Sequence, residues 1–164
     1  MTKIDYRKEL KQLYRPPARK PSIVDVPPMN FLMVDGAGKP DRQEFQDAAS
    51  TIYPVAYTLK FMVRKQQGID YRVMPMEVRW FVNREKRQFK WTMMLMQPEM
   101  VTDELFAEAL AEVKAKGAPP SLANLRFENY HEGLCVQILH KGPYPKMDDT
   151  FEDMMAFIKA QGYT

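Results

Sequence analysis

Cysteine is almost absent from this 164-residue sequence, which has only Cys135. A lone thiol cannot close an internal disulfide, which fits a reducing compartment, and it excludes any multi-cysteine metal site. Histidine is nearly as scarce: His131 and His140 stand nine apart with no third ligand at metal spacing, so no metal is expected. No run approaches the ~20 apolar residues that span a bilayer. The opening segment MTKIDYRKEL also lacks the apolar h-region of a secretion signal. A cytoplasmic location is therefore expected. The sequence has no nucleophile elbow, no phosphate-cradling glycine loop with a following helix lysine, and no paired carboxylates in an apolar run. No cofactor is implied, and catalysis is not demonstrated by the residues.

The chain is long enough, and at 45% hydrophobic content apolar enough, for one core to hold without staples. The net charge of +3 is too small to imply a polyanionic partner. Lys3, Arg7, Lys8, Lys11, Arg15, Arg19 and Lys20 nonetheless crowd the first twenty positions, diluted by Asp5 and Glu9. That arm could touch phosphates, but Leu10 and Leu13 suit a short docked helix with a solvated basic face, which is the favoured reading. Cys135 lies in the apolar run Leu134–Leu139, where burial as a small hydrophobe is favoured over reactivity.

Pro16–Pro28 holds five of the 13 prolines and reads as an extended connector, so residues 1–28 form a basic arm and linker before a domain at 29–164. Phe31–Val34 reads as a strand ended by the turn Asp35-Gly36-Ala37-Gly38. A helix capped at Asp41 should then carry Phe45, Ala48, Ala49, Ile52, Ala56, Leu59 and Val63 on one stripe until Gly68, with Pro54 inside it. Tyr71–Val82 and Phe89–Met96 read as a hairpin. In its first strand Met74, Met76, Val78, Trp80 and Val82 share one face, and Tyr71, Val73, Glu77, Arg79 and Phe81 the other. Thr102 should cap a helix striped by Leu105, Phe106, Ala109, Leu110 and Val113. Leu134–His140, apolar on both sides, reads as a strand inside a sheet, followed by a helix capped near Asp149 or Thr150 and striped by Phe151, Met154, Met155 and Ile158.

The halves echo each other as strand, turn, helix, except that the second lacks a hairpin. Any α+β domain can show such a succession, but a true repeat is favoured, with modules at about 29–97 and 98–164. The open sheet edge near Leu134–His140 would then invite pairing with a second copy.

Of 13 methionines, Met74, Met76, Met93, Met94 and Met96 fall in the hairpin, where they either adapt a wall to ligands or fill core gaps. Tyr71, Trp80, Phe81 and Trp91 add aromatic planes beside Glu77. An acid beside aromatic faces suits a delocalised organic cation, although Arg79 could neutralise Glu77 instead.

Lys11-Gln12-Leu13-Tyr14, Pro27-Pro28-Met29-Asn30-Phe31-Leu32-Met33-Val34-Asp35-Gly36, Ala56-Tyr57-Thr58-Leu59-Lys60-Phe61, Met74-Pro75-Met76-Glu77-Val78-Arg79-Trp80-Phe81 and Lys90-Trp91-Thr92-Met93-Met94-Leu95-Met96-Gln97-Pro98 carry a resemblance in chain order. Glu132-Gly133-Leu134-Cys135-Val136-Gln137-Ile138-Leu139-His140-Lys141-Gly142-Pro143-Tyr144 extends it. The sequence resembles the GyrI-like (gyrase-inhibitor-like) small-molecule-binding family, related to effector-binding domains of multidrug-responsive transcription regulators.

The resemblance implies an α+β fold of two β-α-β-β modules about a pseudo-twofold axis, with helices on one face of an antiparallel sheet and a ligand groove on the other. It implies binding or sequestration of bulky hydrophobic or cationic aromatic drugs or toxins. The aromatic and methionine density beside one acid makes Tyr57, Glu77, Trp80, Phe81, Trp91, Met93 and Tyr144 the expected ligand-contact residues. Two further activities follow by resemblance: hydrolysis of the cyclopropane of DNA-alkylating natural products, and a part in transcription regulation. The family's second tryptophan is replaced by Phe81. No residue matches the glutamate on the strand pair that follows the last helix in the family, which puts hydrolysis in doubt.

Overall fold

In the computed structural model, residues 1–17 and 20–164 are described; Arg19 of the basic arm lies outside them. In chain order the elements are β1 (Thr2–Ile4), α1 (Tyr6–Glu9), α2 (Lys11–Tyr14), β2 (Ser22–Val26), β3 (Met29–Ala37) and α3 (Gln43–Gln67). They continue with β4 (Ile69–Tyr71), β5 (Glu77–Asn83), β6 (Gln88–Gln97), α4 (Asp103–Ala115), β7 (Arg126–Tyr130), β8 (Gly133–Gln137) and α5 (Met147–Ala160). The chain is mixed α+β; among the described residues there are five α-helices, and the strands pair antiparallel in all but β1–β4. It divides into two compact units, Met1–Asp5 with Met29–Tyr130, and Tyr6–Pro28 with His131–Thr164.

The first unit is built on the four-stranded sheet β5-β6-β3-β7. Directly opposed residues of antiparallel strands project to the same side, so the register sorts the side chains. Leu32, Val34, Leu95, Met93, Trp91, Val78, Trp80 and Phe127 take one face; Phe31, Met33, Asp35, Met94, Thr92, Glu77, Arg79, Phe81 and Arg126 take the other. Helices α3 and α4 serve the first face. Phe45 of α3 stacks on Trp80 and meets Trp91 edge-on, with centroids 6.0 and 5.1 Å away, and Phe106 of α4 lies 5.6 Å from Phe127. Ala48, Ile52, Val55, Ala56, Leu59 and Val63 line the buried side of α3. They recur at three- and four-residue steps, as an amphipathic helix requires.

Gly68 ends α3 in the left-handed conformation at φ 67°, its N–H returning to the Arg64 carbonyl at 3.1 Å. At the other end Arg42, not Asp41, holds the N-cap position, and no side chain caps the helix. Thr102 caps α4 as expected, its Oγ1 accepting the Leu105 N–H at 3.2 Å.

Several expectations are corrected. The strand beginning at Phe31 does not stop at Asp35-Gly36: β3 continues to Ala37, because Gly36 faces Trp91 and the missing Cβ makes room for the indole. The single strand expected over Tyr71–Val82 is broken at residues 72–76, where Pro75 has no N–H for a ladder. Its first part, β4, pairs in parallel with β1 at the chain start. Strand β7 was not anticipated.

In the second unit, Ser22–Val26 of the expected connector is strand β2, paired antiparallel with β8. The prolines at 16, 17, 21, 27 and 28 frame it and leave its own donors free. The strand expected at Leu134–His140 is shorter, Gly133–Gln137, and sits in a two-stranded sheet rather than inside a larger one. Helix α5 begins at Met147, ahead of the expected caps; Phe151 and Met155 of its apolar stripe are exposed.

Candidate functional site

The face of the four-stranded sheet opposite α3 and α4 concentrates the chemistry of the first unit. Asp35 on β3 accepts a hydrogen bond from the Thr92 hydroxyl at 2.6 Å and a two-pronged contact from the Arg126 guanidinium at 2.8 and 3.2 Å. Arg126 also reaches Glu128 at 3.1 Å. Burial by itself would push the Asp35 carboxyl up; the Thr92 hydrogen bond and the Arg126 charge outweigh it and hold the group below its ordinary value. Arg126 is correspondingly held more firmly charged, its own desolvation being outweighed by Asp35 and Glu128.

Beside this network the Arg79 guanidinium lies between two aromatic rings, 5.0 Å from the Phe81 centroid and 4.3 Å from that of Tyr130. Both distances are within cation–π range. Glu77 precedes Arg79 by two residues on the same face and is itself engaged within the chain. This face thus has a planar cation held between rings and carboxylates close by.

The residues expected from sequence divide between places. Glu77 and Phe81 are on this face, with Phe81 exposed. Trp80 projects to the helix side, 40% exposed beside Phe45, and Trp91 and Met93 project the same way but are sealed in the core at 1% and 0%. Tyr57 lies exposed on α3, 6.4 Å from Phe61. Tyr144 belongs to the second unit, in a short 3-10 turn at Tyr144–Lys146, and is exposed. Met74, Met94 and Met96 are buried, which is the gap-filling outcome.

Sequence reasoning missed Tyr130, Arg126 and Asp35. The alternation of Arg126, Glu128 and Tyr130 around Phe127 was the available signal, obscured by the polarity of the segment.

His140 is spoken for on both nitrogens. Nε2 donates to the Pro143 carbonyl at 3.2 Å, and Nδ1 shares a hydrogen bond of 2.6 Å with the Thr150 hydroxyl. Among the described residues no cluster of three metal-ligating side chains occurs, and no helix is long and apolar enough to cross a membrane.

Residues 19–164 match the GyrI-like small molecule binding domain. The chain belongs to the GyrI-like family. Solved structures agree with that membership. A hydrolase from Listeria innocua is similar at 36% identity and a TM-score of 0.86, over 97% of this chain and 81% of its own. An uncharacterized conserved protein from Listeria innocua reaches 35% and 0.88, over 97% and 82%. A further Listeria innocua hydrolase reaches 35% and 0.87, over 98% and 82%. No curated protein matches significantly. As a GyrI-like domain, the chain is a small-molecule-binding protein with the α+β fold of these structures.

Proposed function

We propose that the chain binds a bulky, mostly apolar molecule carrying an aromatic cation on the face of the four-stranded sheet opposite α3 and α4. The ligand's charge would take the place between Phe81 and Tyr130 that the Arg79 guanidinium fills. The position of Arg79 carries this reading: a guanidinium is a flat, delocalised cation, and the two rings already accommodate one. Charge balance supports it as well. Asp35, Glu77 and Glu128 oppose Arg79, Arg126 and Lys90 on this face, so withdrawal of Arg79 leaves an excess negative charge that a ligand cation restores. Sequestration of a drug or toxin is the activity such a site would perform.

Titration of the chain into a lipophilic cationic dye, followed by dye anisotropy, tests the proposal. Arg79→Ala removes the internal competitor and should tighten binding about fivefold, the equivalent of the ~1 kcal/mol of an exposed cation–π contact. Phe81→Ala should weaken it. No anisotropy rise at about 100 μM protein, or indifference to both substitutions, overturns it.

Two structures 35–36% identical that are described as hydrolases favour a second reading, opening of a strained electrophile by water. Glu77, Tyr57 and Tyr144 would be the candidate acid–base groups, Glu77 only on leaving its present partner, since both His140 nitrogens are hydrogen-bonded. Mass analysis for the gain of one water, after incubation with a cyclopropane-bearing alkylator, separates turnover from binding. A homodimer would form along β8, which among the described residues is hydrogen-bonded on one edge only, by β2, and whose Leu134 is exposed. Light scattering of the full chain checks it.

A further inference from the structure

At the far end of the β5–β6 hairpin, the turn Arg84–Arg87 and the loop between β3 and α3 enclose a hollow of about 740 Å³, open to solvent. That is the scale of a small-molecule site. Lys39, Arg42, Arg84, Arg87 and Lys90 all line it, and no carboxylate does. Among the described residues none of the five is ion-paired. The nearest acid on α3, Glu44, directs its Oε1 to the Ala37 N–H at 3.3 Å. Val82 and Phe89, cross-strand partners on the helix side, supply an apolar wall.

Arg87 has φ 49°, the one positive φ outside glycine among the described residues. Arg87 closes the hairpin turn, its N–H directed to the Arg84 carbonyl at 3.4 Å; a glycine would hold that left-handed conformation at less cost than an arginine.

Five like charges around one empty space repel one another, and only an anion of several charges relieves them together. A monoanion would leave most of them uncompensated. Arginine also matches phosphate oxygens with two parallel donors. We propose that this hollow binds a linear polyphosphate, carried by a nucleoside triphosphate or present as a free inorganic chain. The cations converge on one hollow instead of running along a stripe, which favours a compact ligand over a nucleic-acid backbone. The hollow shares Lys90 with the Phe81–Tyr130 face, but its other four cations lie outside that face, and the proposal does not depend on the ligand proposed there.

Calorimetric titration of the full chain with inorganic tripolyphosphate, ATP, AMP and an oligothymidylate of about a dozen nucleotides tests the proposal at low and physiological salt. Tripolyphosphate or ATP should bind at least about tenfold more tightly than AMP, and less tightly as salt rises. ATP tighter than tripolyphosphate assigns the ligand to a nucleotide; ATP no tighter assigns it to the free chain. Arg87→Gly should weaken binding several-fold while melting no lower than the parent, since glycine suits the left-handed position. Arg42→Ala with Arg84→Ala should weaken it further. Absence of binding at about 1 mM ligand, equal binding of AMP, indifference to these substitutions, or oligothymidylate bound more than about tenfold tighter than tripolyphosphate each overturns it.

Discussion

Gly36 and Trp91 face each other across β3 and β6, and the benzo ring of the indole occupies the space a Cβ at residue 36 would need. Trp91 is buried and is itself met edge-on by Phe45, so it has nowhere to retreat. Gly36→Ala should therefore overpack the core and cost ~2 kcal/mol. Urea unfolding monitored by tryptophan emission measures it, and a loss below about 0.5 kcal/mol would show that the indole swings aside.

That pair explains one limit on what the sequence reveals. Glycine in an apolar run reads equally as a turn or as a close approach, and only the partner strand distinguishes them. Features encoded within a few residues were legible: Thr102 as a cap, Gly68 as a helix end, and Glu77 with Phe81 on the face opposite Trp80. Features set by distant pairing were not. Tyr130 reaches Arg79 only because β7 joins β3, and β2 becomes a strand only because β8 lies beside it. Alternation also leaves open how deeply a face is covered. It placed Trp91 and Met93 on strands without indicating that both are sealed in the core.

The Asp35–Arg126 pair has a signed pH dependence. Asp35 titrates below its ordinary 3.8 in the folded chain, so its charged form stabilises the fold above that pH, and the contribution is lost as pH falls through the lower folded value. Asp35 is well exposed and screened by water, which limits the effect at neutral pH to on the order of 0.5 kcal/mol. Asp35→Asn should lose that amount at pH 7 and match the parent in strong acid. A gap independent of pH, in urea midpoints compared from pH 7 to pH 2.5, would contradict the assignment.

Cys135 should be a slow thiol. Burial, followed by the negative charge of Glu132, pushes its pKa up to about 11 from 9.0, and Sγ donates to the Gly133 carbonyl at 3.1 Å. At pH 8 only about a thousandth is then thiolate, against about a tenth in the unfolded chain. Iodoacetamide should accordingly label the native protein about a hundredfold more slowly than the urea-unfolded one. Glu132→Gln should raise the native rate. Equal rates in the two states would mean that the thiol is not shielded.

Thr51, fully buried in α3, joins that helix to the segment after α4 through one hydroxyl. Its Oγ1 donates to the Asp47 carbonyl at 2.7 Å and accepts the Ser121 N–H at 3.2 Å. Valine keeps the shape and removes both bonds, leaving the Ser121 donor unsatisfied in a partly buried position, so Thr51→Val should cost about 1–2 kcal/mol. Thr51→Ser keeps the hydroxyl and loses a methyl, at roughly 1 kcal/mol. The two substitutions therefore separate by a second measurement better than by stability. Amide exchange at Ser121 should quicken in Thr51→Val and stay slow in Thr51→Ser, because only the serine still supplies the acceptor. Equal protection of Ser121 in both variants would show that the hydroxyl does not hold that segment to α3.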